Sequence, residues 1–196
     1  MPLVEYSGKI TVIDDIDSAR QALAILSAET RVGFDTETRP SFQKGRTYKV
    51  ALVQISTLTH SYLFRVNRLG IFDELRAFME NENVLKIGLS LKDDFYMMHK
   101  LGEFLPSGFV DLQSYVQDYN IADASLQKIY GLLFGCRISK GQRLTNWEAP
   151  QLTEAQCHYA AIDAWACLRI YNYLSAGEFD PMQSPYRVTK PETVKQ

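Results

Sequence analysis

The chain has 196 residues, of which 46% are hydrophobic and 22% charged, a balance that suits one α/β domain with a sizeable core. Its 21 Lys and Arg against 23 Asp and Glu give a net charge of −2, which excludes a protein that binds nucleic acid through bulk positive charge. The same charge does not exclude a protein that binds phosphates through cations held at a single acidic site.

The first part of the chain is predicted to be rich in β-structure. Short β-branched or alternating apolar runs predict strands, and apolar residues at helical spacing predict a helix between the first two of them. In chain order the predicted elements are an edge strand at 9–13, a helix at 18–28, a strand at 31–38, a polar loop at 39–46, a strand at 48–56 and its hairpin partner at 61–64. The buried stripe of the helix is expected to consist of Ala19, Ala22, Leu23 and Leu26.

Helices alternate with single strands in the second part. The predicted elements are a helix at 72–79, a strand at 84–88, a helix at 92–100 with Gly102 as its candidate C-cap, a strand at 109–111, and helical structure from Leu112 onward with turns near Asp123 and at 135–141. A long helix is expected to open at Leu152, with Thr153 as its N-cap. This order predicts a mixed α/β sheet, an antiparallel meander plus parallel strands, flanked by helices.

A single domain is expected over residues 1–178. The remaining residues, 179–196, contain Pro181, Pro185 and Pro191 and end in charges, so a loosely wrapped or flexible tail is predicted. The sequence has no run long enough to span a membrane and no secretory signal, and its three cysteines lack CxxC spacing. We therefore expect a cytoplasmic protein with reduced thiols, no membrane partner and no zinc site.

Two pairs of side chains are candidates for a polar site. Asp35 and Glu37 share one face of a predicted strand, and Tyr159 and Asp163, four residues apart, share one face of the long helix. Taken alone, each pair more often has no role in binding or catalysis. The first would then be a solvated carboxylate pair, and the second an exposed Asp beside a half-buried Tyr. The strand is apolar at 32–34, however, and the ends of such strands are where ligands usually bind in open α/β sheets.

A third acidic position follows the predicted strand at 84–88, where Asp93 and Asp94 stand side by side. One of them can serve as a helix N-cap or as a first-turn residue favoured by the helix dipole. The local pattern does not choose between the two.

Three segments resemble the exonuclease motifs of the DEDDy 3′–5′ exonucleases, and the chain is most similar to the branch of ribonuclease D and the Werner-helicase exonuclease domain. The segments are Phe34-Asp35-Thr36-Glu37-Thr38, the stretch at 86–94 and Tyr159-Ala160-Ala161-Ile162-Asp163-Ala164. The resemblance extends to the segments at 50–56 and 146–156, so it covers most of residues 30–175. It selects Asp94 over Asp93, because the family's third acid stands seven positions into a stretch that begins at the glycine, here Gly88.

The resemblance implies a ribonuclease H-like fold and a metal-dependent 3′–5′ exonuclease that releases nucleoside 5′-monophosphates from the 3′ end of DNA or RNA. It implies two divalent cations, Mg²⁺ or Mn²⁺, and no nucleotide cofactor. Asp35 would bridge both ions, Glu37 and Asp163 would hold the ion that activates water, and Asp94 would help to hold the other. Tyr159 would orient the attacking water.

Substrate contacts are predicted with less support from the motifs. Thr36 and Thr38 lie beside the acidic pair and are candidates to contact the terminal nucleotide, although β-branched residues in strands need no such role. Phe95 and Tyr96 are candidates to stack on bases, with core packing as the alternative. Two basic loops, at 39–49 and 137–143, are candidates to hold the phosphate backbone. We favour Lys140 and Arg143, because they precede the third motif in a stretch that resembles the family.

Two other functions fit the same sequence. One is a catalytically silent nucleic-acid-binding module on the same fold, and the other is a metal-dependent phosphatase of free nucleotides. The presence of all four acids and the tyrosine argues against the silent module, because function depends on the site and not on the fold.

Overall fold

The computed structural model describes residues 1–183, which form a six-stranded mixed sheet covered by helices on both faces. The strands are β1 (Lys9–Ile13), β2 (Arg31–Thr38), β3 (Val50–Ser56), β4 (His60–Phe64), β5 (Leu85–Gly88) and β6 (Phe109–Asp111). Their order across the sheet is β1-β4-β3-β2-β5-β6. β2, β3 and β4 form an antiparallel meander. β1 pairs with β4 in parallel. On the other side, β5 pairs in parallel with β2, and β6 pairs in parallel with β5.

Seven α-helices surround this sheet in the described part of the chain. They are α1 (Ile16–Leu26), α2 (Val66–Leu69), α3 (Asp73–Glu80), α4 (Leu91–Met98), α5 (Leu112–Tyr115), α6 (Leu126–Phe134) and α7 (Glu154–Ser175), with a 3₁₀ turn at Val116–Tyr119 after α5. One apolar core lies between the sheet and α1, α3 and α4, and a second lies against α5, α6 and α7. The predicted mixed sheet with flanking helices is therefore confirmed.

Several predicted boundaries are wrong, each for a local reason. α1 begins at Ile16, earlier than expected, because the Asp15 side chain accepts a hydrogen bond from the Ser18 amide (2.8 Å) and caps the helix. α2 was not predicted, since four residues are too few to show a helical period. α4 ends at Met98 with His99, and not Gly102, at its C-cap.

β2 lies directly against α7 at Gly33. A Cβ atom at this position would overlap the carbonyl oxygen of Ala164. Side chains alternate along a strand, so Gly33 shares with Asp35 and Glu37 the face of β2 that meets α7. The absent side chain of Gly33 therefore allows the close approach that brings Asp163 of α7 to the two carboxylates of β2.

Gly33→Ala is expected to destabilise the protein by about 1–3 kcal/mol, because α7 must move away from β2 to admit the methyl group. Urea unfolding followed by circular dichroism measures this change. Gly141→Ala is a suitable control, since the nearest atom to its added Cβ, the Ser139 Oγ, lies 3.4 Å away. Equal stabilities of the two variants would contradict the tight contact.

Both ends of α7 are fixed by side-chain hydrogen bonds. At its N-terminus the Thr153 hydroxyl accepts from the Gln156 amide (3.2 Å) and the Gln156 side-chain oxygen accepts from the Thr153 amide (3.0 Å), which confirms the predicted N-cap. Near its C-terminus the Arg31 guanidinium donates to the Asn172 side-chain oxygen (3.0 Å). The helix is therefore capped at its N-terminus and tied to β2 near its C-terminus.

Other predictions concern the whole chain. The proposed flexible tail falls partly on residues 184–196, which lie outside the described residues, and the single domain over 1–178 stays a prediction. Within residues 1–183, no helix combines the length and the apolar character needed to cross a membrane. The three cysteines are unpaired, as expected.

Candidate active site

Three carboxylates from two elements converge at one point. Asp35 and Glu37 come from β2 and Asp163 comes from α7, and one oxygen of each lies within 4.8 Å of the others. Glu37 and Asp163 are 9% and 5% exposed, so these acids are almost removed from water. The structure therefore brings together Asp163 and the Asp35–Glu37 pair, which stand more than a hundred residues apart in sequence.

Asp94 lies in the first turn of α4, next to this group of three. Its carboxylate accepts a hydrogen bond from the Thr36 hydroxyl, and its charge raises the pKa of both Asp35 and Glu37. Asp93, by contrast, is exposed and accepts a hydrogen bond from the Ser90 hydroxyl (3.2 Å). The structure thus directs Asp94 toward the site and Asp93 toward solvent.

Tyr159 lies one helical turn before Asp163 and is 8% exposed. Burial and then the charge of Asp163 raise the pKa of Tyr159 far above its ordinary value, so the phenol keeps its proton. Its ring lies 6.0 Å from that of Trp147, which is fully buried. Arg65 fixes the loop that carries Trp147 by donating to the carbonyl oxygens of Ala149 and Pro150. The phenol therefore keeps its proton, and its hydroxyl lies within hydrogen-bonding reach of the Asp163 carboxylate.

Burial raises the pKa of all four acids, and the charges of neighbouring site acids add to this shift at Asp35 and Glu37. Burial, Asp163 and Asp94 together raise the pKa of Glu37 to about 9, and Arg143 opposes this shift. Burial raises the pKa of Asp163 to about 7, with partial compensation by the Tyr159 hydroxyl, and burial likewise raises that of Asp94 to about 7. The pKa of Asp35 rises because of burial and the neighbouring acids. Like charges at such distances repel, so the arrangement needs compensating positive charge.

A hard divalent cation suits this donor set. Such ions take carboxylate oxygens as ligands, and the site offers oxygens from separate elements within a few ångströms of one another. In addition, the buried Oδ1 atom of Asp163 has no hydrogen-bond partner among the described residues. An acceptor without a partner in a buried acidic cluster is explained by a bound cation. Asp35, Glu37 and Asp163 therefore fit a metal site, with Asp94 beside it.

Asp35, Glu37, Asp163 and Tyr159 line an open cleft of about 360 Å³, and Asp94 is not among its lining residues. Lys140 and Arg143 line the same cleft, as do Leu89 and residues 124–127 at the start of α6, which the sequence did not indicate. Both favoured basic residues are thus brought to the cleft that holds the acids, and the charge of Arg143 lowers the pKa of Glu37.

The remaining predicted substrate contacts are placed differently. Thr36 bonds to Asp94, and Thr38 ends β2 without lining the cleft. Phe95 is half-buried and packs its ring edge-on against Phe109 at 4.7 Å and Phe104 at 6.1 Å. The structure therefore gives Phe95 a packing role, and its contact with a base stays a prediction.

Gln54 is a polar neighbour of the site that the sequence reasoning did not single out as functional. It pairs with Asp35 across β2 and β3, is fully buried, and has no partner for either amide atom among the described residues. The sequence contains a sign of this role, because Gln54 is the only amide in the apolar run at 50–55. A buried amide without a partner is costly, so Gln54 is a further polar side chain whose position beside Asp35 calls for a bound group.

Comparisons with known proteins agree with this geometry. A family model described as 3′–5′ exonuclease matches residues 10–176. The chain is 30% identical over 185 residues to the bifunctional 3′–5′ exonuclease/ATP-dependent helicase WRN of Mus musculus, covering 89% of this chain and 13% of the relative. It is 28% identical over 166 residues to ribonuclease D of Haemophilus influenzae, covering 83% of this chain and 41% of the relative. The chain thus spans less than half the length of both curated relatives.

The Nibbler EXO domain of Aedes aegypti has the same fold as this chain. The two structures superpose with a TM-score of 0.77 at 22% identity, covering 93% of this chain and 97% of the other. This likeness confirms the predicted ribonuclease H-like fold, and at this identity it concerns the fold alone.

Proposed function

The chain belongs to the 3′–5′ exonuclease family, and on that premise we propose that it hydrolyses phosphodiester bonds at the 3′ end of DNA or RNA and releases nucleoside 5′-monophosphates. The observation that supports this function best is the convergence of Asp35, Glu37, Asp163 and Tyr159 in one open cleft, with Asp94 beside them. A strand end can enter an open cleft, whereas a closed pocket would admit only a free nucleotide.

Exonucleases of this family use divalent metal ions. For this chain we propose two, Mg²⁺ or Mn²⁺, which Asp35, Glu37, Asp163 and Asp94 would hold. When bound, such ions stabilise the charge that develops on the phosphoryl group and lower the pKa of water. Asp35, Glu37 and Asp163 would bind an ion without a large movement, because β2 and α7 already bring one oxygen of each within 4.8 Å of the others.

The other side chains act on the water and on the substrate. Tyr159 keeps its proton and donates a hydrogen bond that orients the attacking water, so it does not serve as a base. Lys140 and Arg143, which line the same cleft as the acids, bind phosphates of the strand by charge. Thr36 and Thr38 are proposed to contact the terminal nucleotide from β2.

Incubation with a 5′-labelled oligonucleotide and Mg²⁺ or Mn²⁺ tests this function. DNA and RNA are both assayed, since one relative is named a ribonuclease and the other a helicase with an exonuclease. A ladder of shortened products is expected. Binding without shortening would indicate a silent module, and turnover of free nucleotides alone would indicate a phosphatase. Cytoplasmic location stays a prediction from the sequence.

Asp94→Asn is expected to lower the rate of shortening between about 10-fold and 100-fold, in the range seen for residues that support a metal site. The amide loses the negative charge that faces Asp35 and Glu37. Asp93→Asn is the matched control, because its side chain is exposed and bonds only to Ser90. Single-turnover rates of the two variants measure the contrast. A greater loss for Asp93→Asn would show that the assignment of the third acid is displaced by one residue.

A further inference from the structure

A second concave surface of about 390 Å³ is lined mainly by the loop that follows β2. We name it the cationic shelf and define it by Arg39, Phe42, Arg46, Tyr48, Leu144 and Asn146. We propose that the cationic shelf binds the single-stranded nucleic acid on the 5′ side of the nucleotides held in the active-site cleft. This inference rests on the proposed function, which it extends from the cleaved end to the rest of the strand.

The charge of the loop favours a polyanion. Residues 39–49 contain four cations, Arg39, Lys44, Arg46 and Lys49, and the chain has no acid between Glu37 and Asp73. Arg39 pairs with Glu148 at 3.5 Å, whereas no carboxylate of the described residues forms an ion pair with Arg46 or the two lysines. A local excess of unpaired cations in a chain of net charge −2 is a specific feature and does not follow from composition.

The two arginines are held in place by an aromatic ring. The guanidinium groups of Arg39 and Arg46 lie 4.6 Å and 5.0 Å from the centroid of the Tyr48 ring. Stacking of this kind fixes a planar cation while leaving its N–H groups free to bind phosphate. The side chains are therefore arranged before any strand arrives, which lowers the entropic cost of binding.

Phe42 presents a ring to solvent at the edge of the shelf. It is 82% exposed, and Leu144 on the facing loop is 64% exposed. The turn that carries the ring is ordered, since the Gln43 carbonyl accepts from the Ser41 hydroxyl (3.1 Å) and from the Arg46 amide (3.2 Å). Exposed aromatic rings beside cations are the elements with which proteins bind unpaired bases. In a duplex the bases already stack on one another, so they are not free to stack on the Phe42 ring.

The shelf is continuous with the active-site cleft along the chain. Arg39 is two residues beyond Glu37, which corresponds to about 7 Å along an extended strand. On the facing loop, Arg143 lines the active-site cleft and the next residue, Leu144, lines the shelf. A strand that leaves the cleft between these two loops therefore passes directly onto the shelf.

The test is binding of a labelled single-stranded oligonucleotide of about twelve nucleotides, measured by fluorescence anisotropy in a chelator so that no hydrolysis occurs. Phe42→Ala and Arg46→Ala are each expected to weaken binding about tenfold, the typical loss for one stacking or phosphate contact. Arg46→Ala is also expected to reduce the salt dependence by about 0.7 in logarithmic slope. Arg20→Ala, an exposed arginine on α1 outside both clefts, is the control and should bind as the wild type does.

Kinetics with divalent metal give a second measurement. The ratio of kcat/KM for the oligonucleotide to that for a dinucleotide is expected to fall about tenfold in the shelf variants, because a dinucleotide does not reach the shelf. The proposal would be overturned if both shelf variants bound with wild-type affinity, or if Arg20→Ala lost as much affinity as they do. It would also be overturned if the variants lost affinity only for duplex, or if the wild type showed no detectable binding. If the wild type hydrolyses the oligonucleotide but the shelf variants bind it normally, only the proposed role of the shelf is refuted. Shelf-dependent binding without hydrolysis refutes the proposed exonuclease activity alone.

Discussion

Asp163→Asn is expected to lower the single-turnover rate by about 1,000-fold, because a carboxylate that holds a catalytic cation contributes several kcal/mol of stabilisation to the transition state. The amide has no charge and would place an N–H₂ group among the other acids. Mn²⁺ affinity, measured by isothermal titration, should fall with the rate, and a higher Mn²⁺ concentration should restore a small part of the activity. The fold should persist, since the substitution removes one of several like charges.

Asp17→Asn provides the comparison for this variant. Asp17 lies in the first turn of α1 with an exposed side chain, so its replacement removes one charge without touching the cleft. Should Asp163→Asn bind Mn²⁺ as tightly as Asp17→Asn does and keep more than a tenth of its rate, Asp163 is not a metal ligand.

Tyr159→Phe is expected to lower kcat about 100-fold, the usual size of a positioning effect, while Mn²⁺ affinity stays close to that of the wild type. In the proposed mechanism the hydroxyl orients the attacking water, so its hydrogen bond would matter in the transition state and not in metal binding. The ring remains packed on Trp147, and the variant should therefore unfold at the wild-type temperature.

Tyr96→Phe is the matched control, because that hydroxyl belongs to a 67% exposed residue on α4. Full activity in Tyr159→Phe, or a loss of metal affinity as large as that of Asp163→Asn, would rule out the water-orienting role.

Local sequence patterns predicted the two pairs of site residues, but they did not predict that the two pairs lie next to each other in the fold. Alternation placed Asp35 and Glu37 on one face of β2, and helical spacing placed Tyr159 and Asp163 on one face of α7. That the two faces touch depends on a tertiary contact, which periodicity within one element does not contain. The resemblance of the three motifs to a family supplied that information before the structure did.

The contact between β2 and α7 nevertheless has a sequence signal of its own. Gly33 interrupts an apolar strand, and Ala160, Ala161 and Ala164 line the facing stretch of α7. Small residues in both elements permit a close approach of backbones, but many glycines and alanines serve no such purpose. The pattern therefore gains meaning only after the partner element is known.

The cationic shelf could not be recognised from charge alone. Arg39 and Arg46 looked like solvated charges in a polar loop, which is the usual outcome for such residues. Their stacking on Tyr48 depends on how the chain turns between Pro40 and Thr47, and loop geometry of this kind is poorly specified by composition.

The fixation of α7 at both ends has a consequence for motion. The helix has 22 residues, so it is about 33 Å long, and Asp163 lies near its middle, far from either fraying end. Its amide should exchange with deuterium only through global unfolding, whereas the solvent-facing amides of the loop at 39–49 should exchange rapidly. The backbone that carries Asp163 is therefore expected to open far more rarely than the backbone of the loop. In the proposed reaction the strand would advance by one nucleotide while the carboxylates keep their spacing.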